Sequence, residues 1–148
     1  MFGNFLKSLL APAPAPLAPL DARLALATLL VRVARSDNDY ARQERQQIDR
    51  ILGHRYDLTP EAAAQLRAEA EAVEAEAPDT VRFTRAIKTA VPYEDHERVI
   101  ESLWAVVLAD GVRDSAENAQ LRLMANLLGV NDRDSALARQ RVAARQNP

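Results

Sequence analysis

The sequence predicts an all-α protein: a single-domain helical bundle of about seven helices with an internally duplicated helix–acidic loop–helix unit. Three observations predict it. Apolar residues recur at helical spacing from Asp21 onward, and Pro, Gly, Asp and Asn divide that stretch into helix-length segments. No stretch alternates apolar and polar residues between hairpin turns, as a half-buried strand would require. A chain of 148 residues, 48% hydrophobic and 27% charged, is long enough to bury one real core.

Residues 1–10 form a short amphipathic segment: Phe2, Phe5, Leu6, Leu9 and Leu10 fall on one helical face. That face suits docking on the chain's own domain. It equally suits a partner's groove, a second copy of the chain or peripheral contact with a membrane surface. Residues 11–20 are a Pro/Ala-rich linker, extended and semi-rigid, and residues 21–148 are the helical domain.

Asp21 is placed to cap the first helix, with Leu26, Leu29, Leu30 and Val33 on a broad apolar face, and Asp37-Asn38-Asp39 turns the chain. The second helix carries Ile48, Ile51 and Leu52 to Gly53, read as a C′ glycine. Thr59-Pro60-Glu61 combines a cap, an N1 proline and a first-turn acid, and opens an Ala/Glu-rich surface helix with Leu66 and Val73 inward. Pro78-Asp79-Thr80 opens the fourth helix and Pro92 the fifth. The fifth, with Val99, Ile100, Leu103, Trp104, Val106 and Val107, is the most apolar and is expected at the centre. Asp114 and Glu117 have capping-box spacing before the sixth helix, which stops at Gly129. Asn131 or Asp132 caps the seventh, which carries Leu137 and Val142.

Composition excludes several function classes. A net charge of −2 argues against general nucleic-acid binding, which needs an excess of cations against phosphate. The absence of cysteine excludes disulfides, thiolate metal sites and cysteine nucleophiles. No apolar run approaches the roughly 20 residues that span a bilayer. Four prolines between residues 12 and 19 break the h-region a secretory signal would need, so a cytoplasmic location is expected. No serine sits in a nucleophile elbow, and four glycines form no phosphate loop. The expectation is a protein without enzymatic activity.

Two stretches repeat with a shift of 73, as the residue numbers show. Leu30 matches Leu103, Val33 matches Val106, Ala34 matches Val107, Asp37 matches Asp110, Glu44 matches Glu117, and Ile48 and Ile51 match Leu121 and Met124. Each copy is an apolar helix, an Asp near its end, a short loop and a Glu in the next helix. An Asp at a helix C-terminus meets the negative end of the macrodipole, at a cost of about 0.3–1 kcal/mol, so Asp37 and Asp110 call for an explanation. Glu44 and Glu117 lie where the dipole favours acids. If the four converge, their hard oxygens suit a divalent cation, Ca²⁺, Mg²⁺ or Mn²⁺, better than Zn²⁺. The pattern is not an EF-hand, since the acid falls at the eighth loop position rather than the twelfth. The bland alternative is that Asp39 and Asp114 are N-caps and the two glutamates stabilise helices.

Ala109-Asp110-Gly111 followed by Glu117, with the earlier copy Ser36-Asp37-Asn38…Glu44, resembles the tellurite-resistance TerB family over roughly residues 21–130. The resemblance implies an all-helical bundle with acids clustered at its loops, a stress-associated role, metal binding and no enzymatic activity. By position, it carries the metal-ligand role to Asp37, Glu44, Asp110 and Glu117. Asn38 departs from the family's glycine, although Asn tolerates the left-handed turn.

The remaining polar residues have structural readings first. His54 and His96 read as structural or surface residues, His96 on a polar turn, with ligation the alternative; Trp104 reads as core. The acids Glu69, Glu71, Glu74, Glu76 and Asp79 and the basic residues Arg133, Arg139, Arg141 and Arg145 read as solvated faces. Their separation can also orient a protein partner or a homo-oligomer. This supports an alternative function as a metal-free protein–protein interaction module.

Overall fold

Helix boundaries follow the chain's punctuation. The computed structural model describes residues 19–36, 40–76, 80–109 and 115–146, with side chains from residue 22 and, in the last stretch, from residue 118. Among the described residues there are seven α-helices and no strand. They are α1 (Pro19–Arg35), α2 (Arg42–Tyr56), α3 (Pro60–Glu76), α4 (Val81–Ala90), α5 (His96–Val107), α6 (Ser115–Leu127) and α7 (Asp132–Gln146). A single 3₁₀ turn, Tyr93–Asp95, leads into α5. The amphipathic segment, nearly all of the linker and both acidic loop centres lie outside the described residues.

Two caps form as the sequence reading expects. Thr59 Oγ1 accepts the Ala62 N–H at 3.2 Å, and Asn131 Oδ1 accepts the Asp134 N–H at 2.8 Å. Gly129, with φ 78°, ends α6 in the left-handed region. There the Val130 N–H reaches back to Ala125 O at 2.8 Å, and Val130 is buried.

Other expectations need correction. The first helix starts at Pro19, two residues before Asp21, because proline suits a first helical turn. The second runs past Gly53 to Tyr56 and closes on Asp57 at φ 54°, ψ 54°. Asp takes the left-handed cap here, and the carbonyl of Gly53 accepts the Leu58 N–H at 2.9 Å. Leu137 on α7 is exposed, whereas Ser135, Ala138 and Val142 form its buried stripe.

The central helix is α1 rather than α5. Every residue from Ala25 to Ala34 is buried, and α1 packs against α2, α3, α4, α5 and α6. Hydropathy alone understated it because two polar residues interrupt the run. Thr28 turns its hydroxyl back onto Leu24 O at 2.7 Å, and Arg32 sends its guanidinium out along the helix to the α3–α4 edge. The Ala/Glu-rich α3 has a solvated face, but its other face is the most extensive partner of α1. Buried Ala63 and Ala70, with Leu66 between them, allow that close approach.

Matched positions of the two sequence stretches share burial. Leu30 and Leu103, Val33 and Val106, and Ile48 and Leu121 are all fully out of solvent. The same offset of 73 separates Arg42 and Ser115, the first residues of α2 and α6.

His96 is not on a polar turn. It is buried, with Nδ1 3.1 Å from Leu128 O and Nε2 3.0 Å from Val91 O. It thus ties the turn before α5 to the end of α6, with Tyr93 packed edge-on against its ring. Trp104 is core, and its indole N–H donates to Ser135 Oγ at 3.1 Å.

Candidate functional site

The four acids singled out by sequence fall along the chain at the α1–α2 and α5–α6 connections, Glu44 and Glu117 within the helices that follow them. α1 ends at Arg35, where Ser36 Oγ donates to Val33 O at 2.7 Å. Asp37 therefore follows the last helical residue by two positions. α5 ends at Val107 with Leu108 as its C-cap, so Asp110 lies three positions beyond its last helical residue. The macrodipole fades within a turn of the helix end, which weakens the dipole argument for both aspartates. Asp37, Asp39, Asp110 and Asp114 lie outside the described residues. Glu117 is in the first turn of α6, and its side chain is likewise outside them.

Glu44 is the fully described member of the set. It stands three residues after the N-cap Ala41 and accepts the Ala41 N–H on Oε1 at 3.2 Å. This is the return half of a capping box, the half that an alanine cap cannot reciprocate. Glu44 nevertheless shares one helix stripe with Ile48 and Leu52, and its exposure is 0%. Among the described residues it is the only buried carboxylate. Also among the described residues, no group of three or more His, Asp or Glu is placed to hold a metal ion.

Beside the first corner the structure assembles a network of arginines and acids. Arg35 Nη1 meets Glu74 Oε1 at 3.1 Å and donates to Glu71 O at 3.2 Å. Arg32 Nη2 lies 3.6 Å from Glu74 Oε2, and Arg32 Nη1 donates to Thr80 Oγ1 at 3.2 Å. The Tyr40 hydroxyl donates to Glu71 Oε2 at 2.8 Å, and the same oxygen accepts from Arg67 Nη1 at 2.8 Å. Arg67 Nε completes the chain to Asp49 Oδ1 at 2.6 Å. Arg35 and Arg45 also lie over the Tyr40 ring, at 5.1 and 5.3 Å.

The electrostatics of this network follow from its geometry. Burial pushes the Tyr40 phenol well above its ordinary range, and the hydrogen bond and negative charge of Glu71 push it further. Burial opposes the charge of Arg67, but its bonds to Asp49 and Glu71 outweigh that and raise it. The arrangement braces α1, α2 and α3 around the chain segment that leaves the first loop.

The family model described as tellurite resistance protein TerB matches residues 23–140. The chain belongs to the TerB family. The matched span runs from the first turns of α1 into α7 and includes both acidic corners. Comparison with curated proteins and with solved structures gave no significant match. Among the described residues of this TerB-family chain, no helix is long and apolar enough to cross a membrane.

Sequence reasoning missed the arginine network because it treated the charges as solvated faces. Glu71 and Glu74 are instead tied to Arg67, Arg35 and Arg32. On α7, Arg141 lies 3.4 Å from Glu101 Oε2, Arg145 pairs with Glu101 Oε1, and Arg139 covers the Trp104 ring at 5.5 Å. One signal was available: Arg67 and Glu71 stand at i, i+4 on a helix. The other ion-pair partners are 18 to 44 residues apart and had no local signature.

Proposed function

We propose that this protein acts without enzymatic activity in a tellurite-resistance-like, stress-associated role, and that it binds a divalent cation at its acidic corners. Asp37, Glu44, Asp110 and Glu117 are the proposed ligands, and Ca²⁺, Mg²⁺ or Mn²⁺ the proposed ions. Family membership over residues 23–140 supports the role. The observation that carries the cation reading is the burial of Glu44. A first-turn glutamate can cap its helix from the surface, yet this carboxylate lies on the apolar stripe beside a loop holding two further acids. Carboxylate oxygens are the donors these hard ions take.

Calorimetric titration of the full chain with each of the three ions tests the reading. Saturable heat and a rise in thermal midpoint are expected, and both should vanish in the Asp37→Ala/Asp110→Ala double variant with helicity retained. No heat and no thermal shift with any of the three ions would remove the metal.

A second reading, a metal-free protein–protein interaction module, is favoured by the arginine network. It supplies positive charge beside the first corner from within the chain and leaves less demand there for a cation. An unresponsive protein that retains its full stability in chelator would favour this reading.

A further inference from the structure

A second feature, independent of the acidic corners, is a cleft of about 630 Å³ between α2, α5 and α7. That volume lies within the range of small-molecule sites. Ile51 and Val142 supply apolar surface, and three arginines from three different helices line the cleft: Arg55 of α2, Arg98 of α5 and Arg145 of α7. Glu101 is the single acid in the lining.

We infer that this cleft binds a small organic anion, with a carboxylate or phosphate head held by the arginines and an apolar body against Ile51 and Val142. Three features of the cleft support this. First, an arginine there already holds a carboxylate: Arg145 pairs with one oxygen of Glu101, while Arg141, outside the lining, lies 3.4 Å from the other. The guanidinium geometry suited to an oxyanion is therefore present on α7. Second, much of the remaining positive charge is uncommitted. Arg55 makes no ion pair among the described residues and only lies over the neighbouring Tyr56 ring at 5.9 Å. Arg98 has one distant pair, 3.9 Å to Asp95, and is 77% exposed. Third, Gln146 Nε2 donates to Ala105 O at 3.2 Å, tying α7 to α5 across the cleft wall. α5 packs against both α7 and α2, so the cleft lies between helices already in contact and ordering the site costs less on binding.

Methyl and amide NMR of the full chain tests the inference, with octanoate, octyl phosphate, inorganic phosphate and neutral octyl glucoside as probes. Octanoate or octyl phosphate should shift the Ile51 and Val142 signals saturably. The tighter of the two identifies the head group. Octyl glucoside should not bind there, and inorganic phosphate should bind more weakly than octyl phosphate. Arg55→Gln/Arg98→Gln, a change at solvent-accessible positions, should weaken binding about tenfold. Ala105→Glu, which adds a negative charge to the lining, should abolish it. The inference fails if neither octyl anion gives a saturable shift at the cleft. It also fails if the double arginine variant binds as well as the parent, or if the neutral glucoside competes equally.

Discussion

The two loop corners carry matching acids but differ in what surrounds them. At the first, the last turn of α1 holds Arg32 and Arg35, and Arg45 and Arg67 stand nearby with Glu71 and Glu74 bridging between them. At the second, the last turn of α5 has no basic residue. Shifted by 73, Arg32 becomes Ala105, Arg35 becomes Leu108 and Arg45 becomes Asn118. Tyr40 in turn becomes Arg113, so one helix–loop–helix pattern serves two ends: a corner with several arginines drawn in from the helices around it, and one with a single arginine in its loop sequence. Ala105, which replaces the buried Arg32, lines the α2–α5–α7 cleft instead.

The largest effect should come from the hub of the first corner. Glu71→Ala leaves the Tyr40 hydroxyl and one face of Arg67 without their acceptor, and should cost about 2 kcal/mol. Chemical denaturation would read this; a change within error would show that the network is not a brace. Glu44→Ala should cost about 1–2 kcal/mol by removing the acceptor at Ala41 and leaving space in the core. Glu44→Gln keeps an amide oxygen for Ala41 and should cost less in chelator, while still losing any cation response. Equal losses in the two variants would mean that the negative charge itself supports the fold.

Cation titrations sharpen the contrast further. If a cation binds, Asp110→Ala should weaken it about tenfold, equivalent to about 1.4 kcal/mol, and Asp37→Ala should weaken it less, because more arginines stand beside the first corner than beside the second. The reverse order would break the comparison. The smallest effect is alkaline. Since the Tyr40 phenol is raised in the folded chain, its stabilisation is complete below the usual tyrosine value of about 10 and drains away as pH rises through the folded value. Of the chain's three tyrosines, Tyr40 should ionise last in an ultraviolet titration, and Tyr40→Phe should flatten the loss of stability above about pH 10. If all three ionise together in the parent protein, the hydrogen bond to Glu71 does not persist in solution.

The first corner also shows why charge patterns resist sequence reading. Glu71, Glu74 and Arg67 read as solvated charges because a helix face of alternating acids is usually just that. Their partners on other elements come from α1, from the segment before α2 and from α2 itself, and only packing brings these together. Glu44 presented the same difficulty in reverse. A first-turn acid is the ordinary signature of a helix start, and nothing local says that this one points inward.

The sequence by itself determined the helical class, the number of helices among the described residues, two of the caps, the stop at Gly129 and the TerB resemblance. These depend on residues within a turn or two of each other, where periodicity and capping act directly. Only the tertiary structure decided that α1 is the central helix, that His96 is buried, that Glu44 lies on an apolar stripe and that the arginines gather beside the first corner. Each of those depends on which faces meet across the bundle. Burial and ion pairing at that range are set by the packing of whole helices, not by the residues adjacent in the chain.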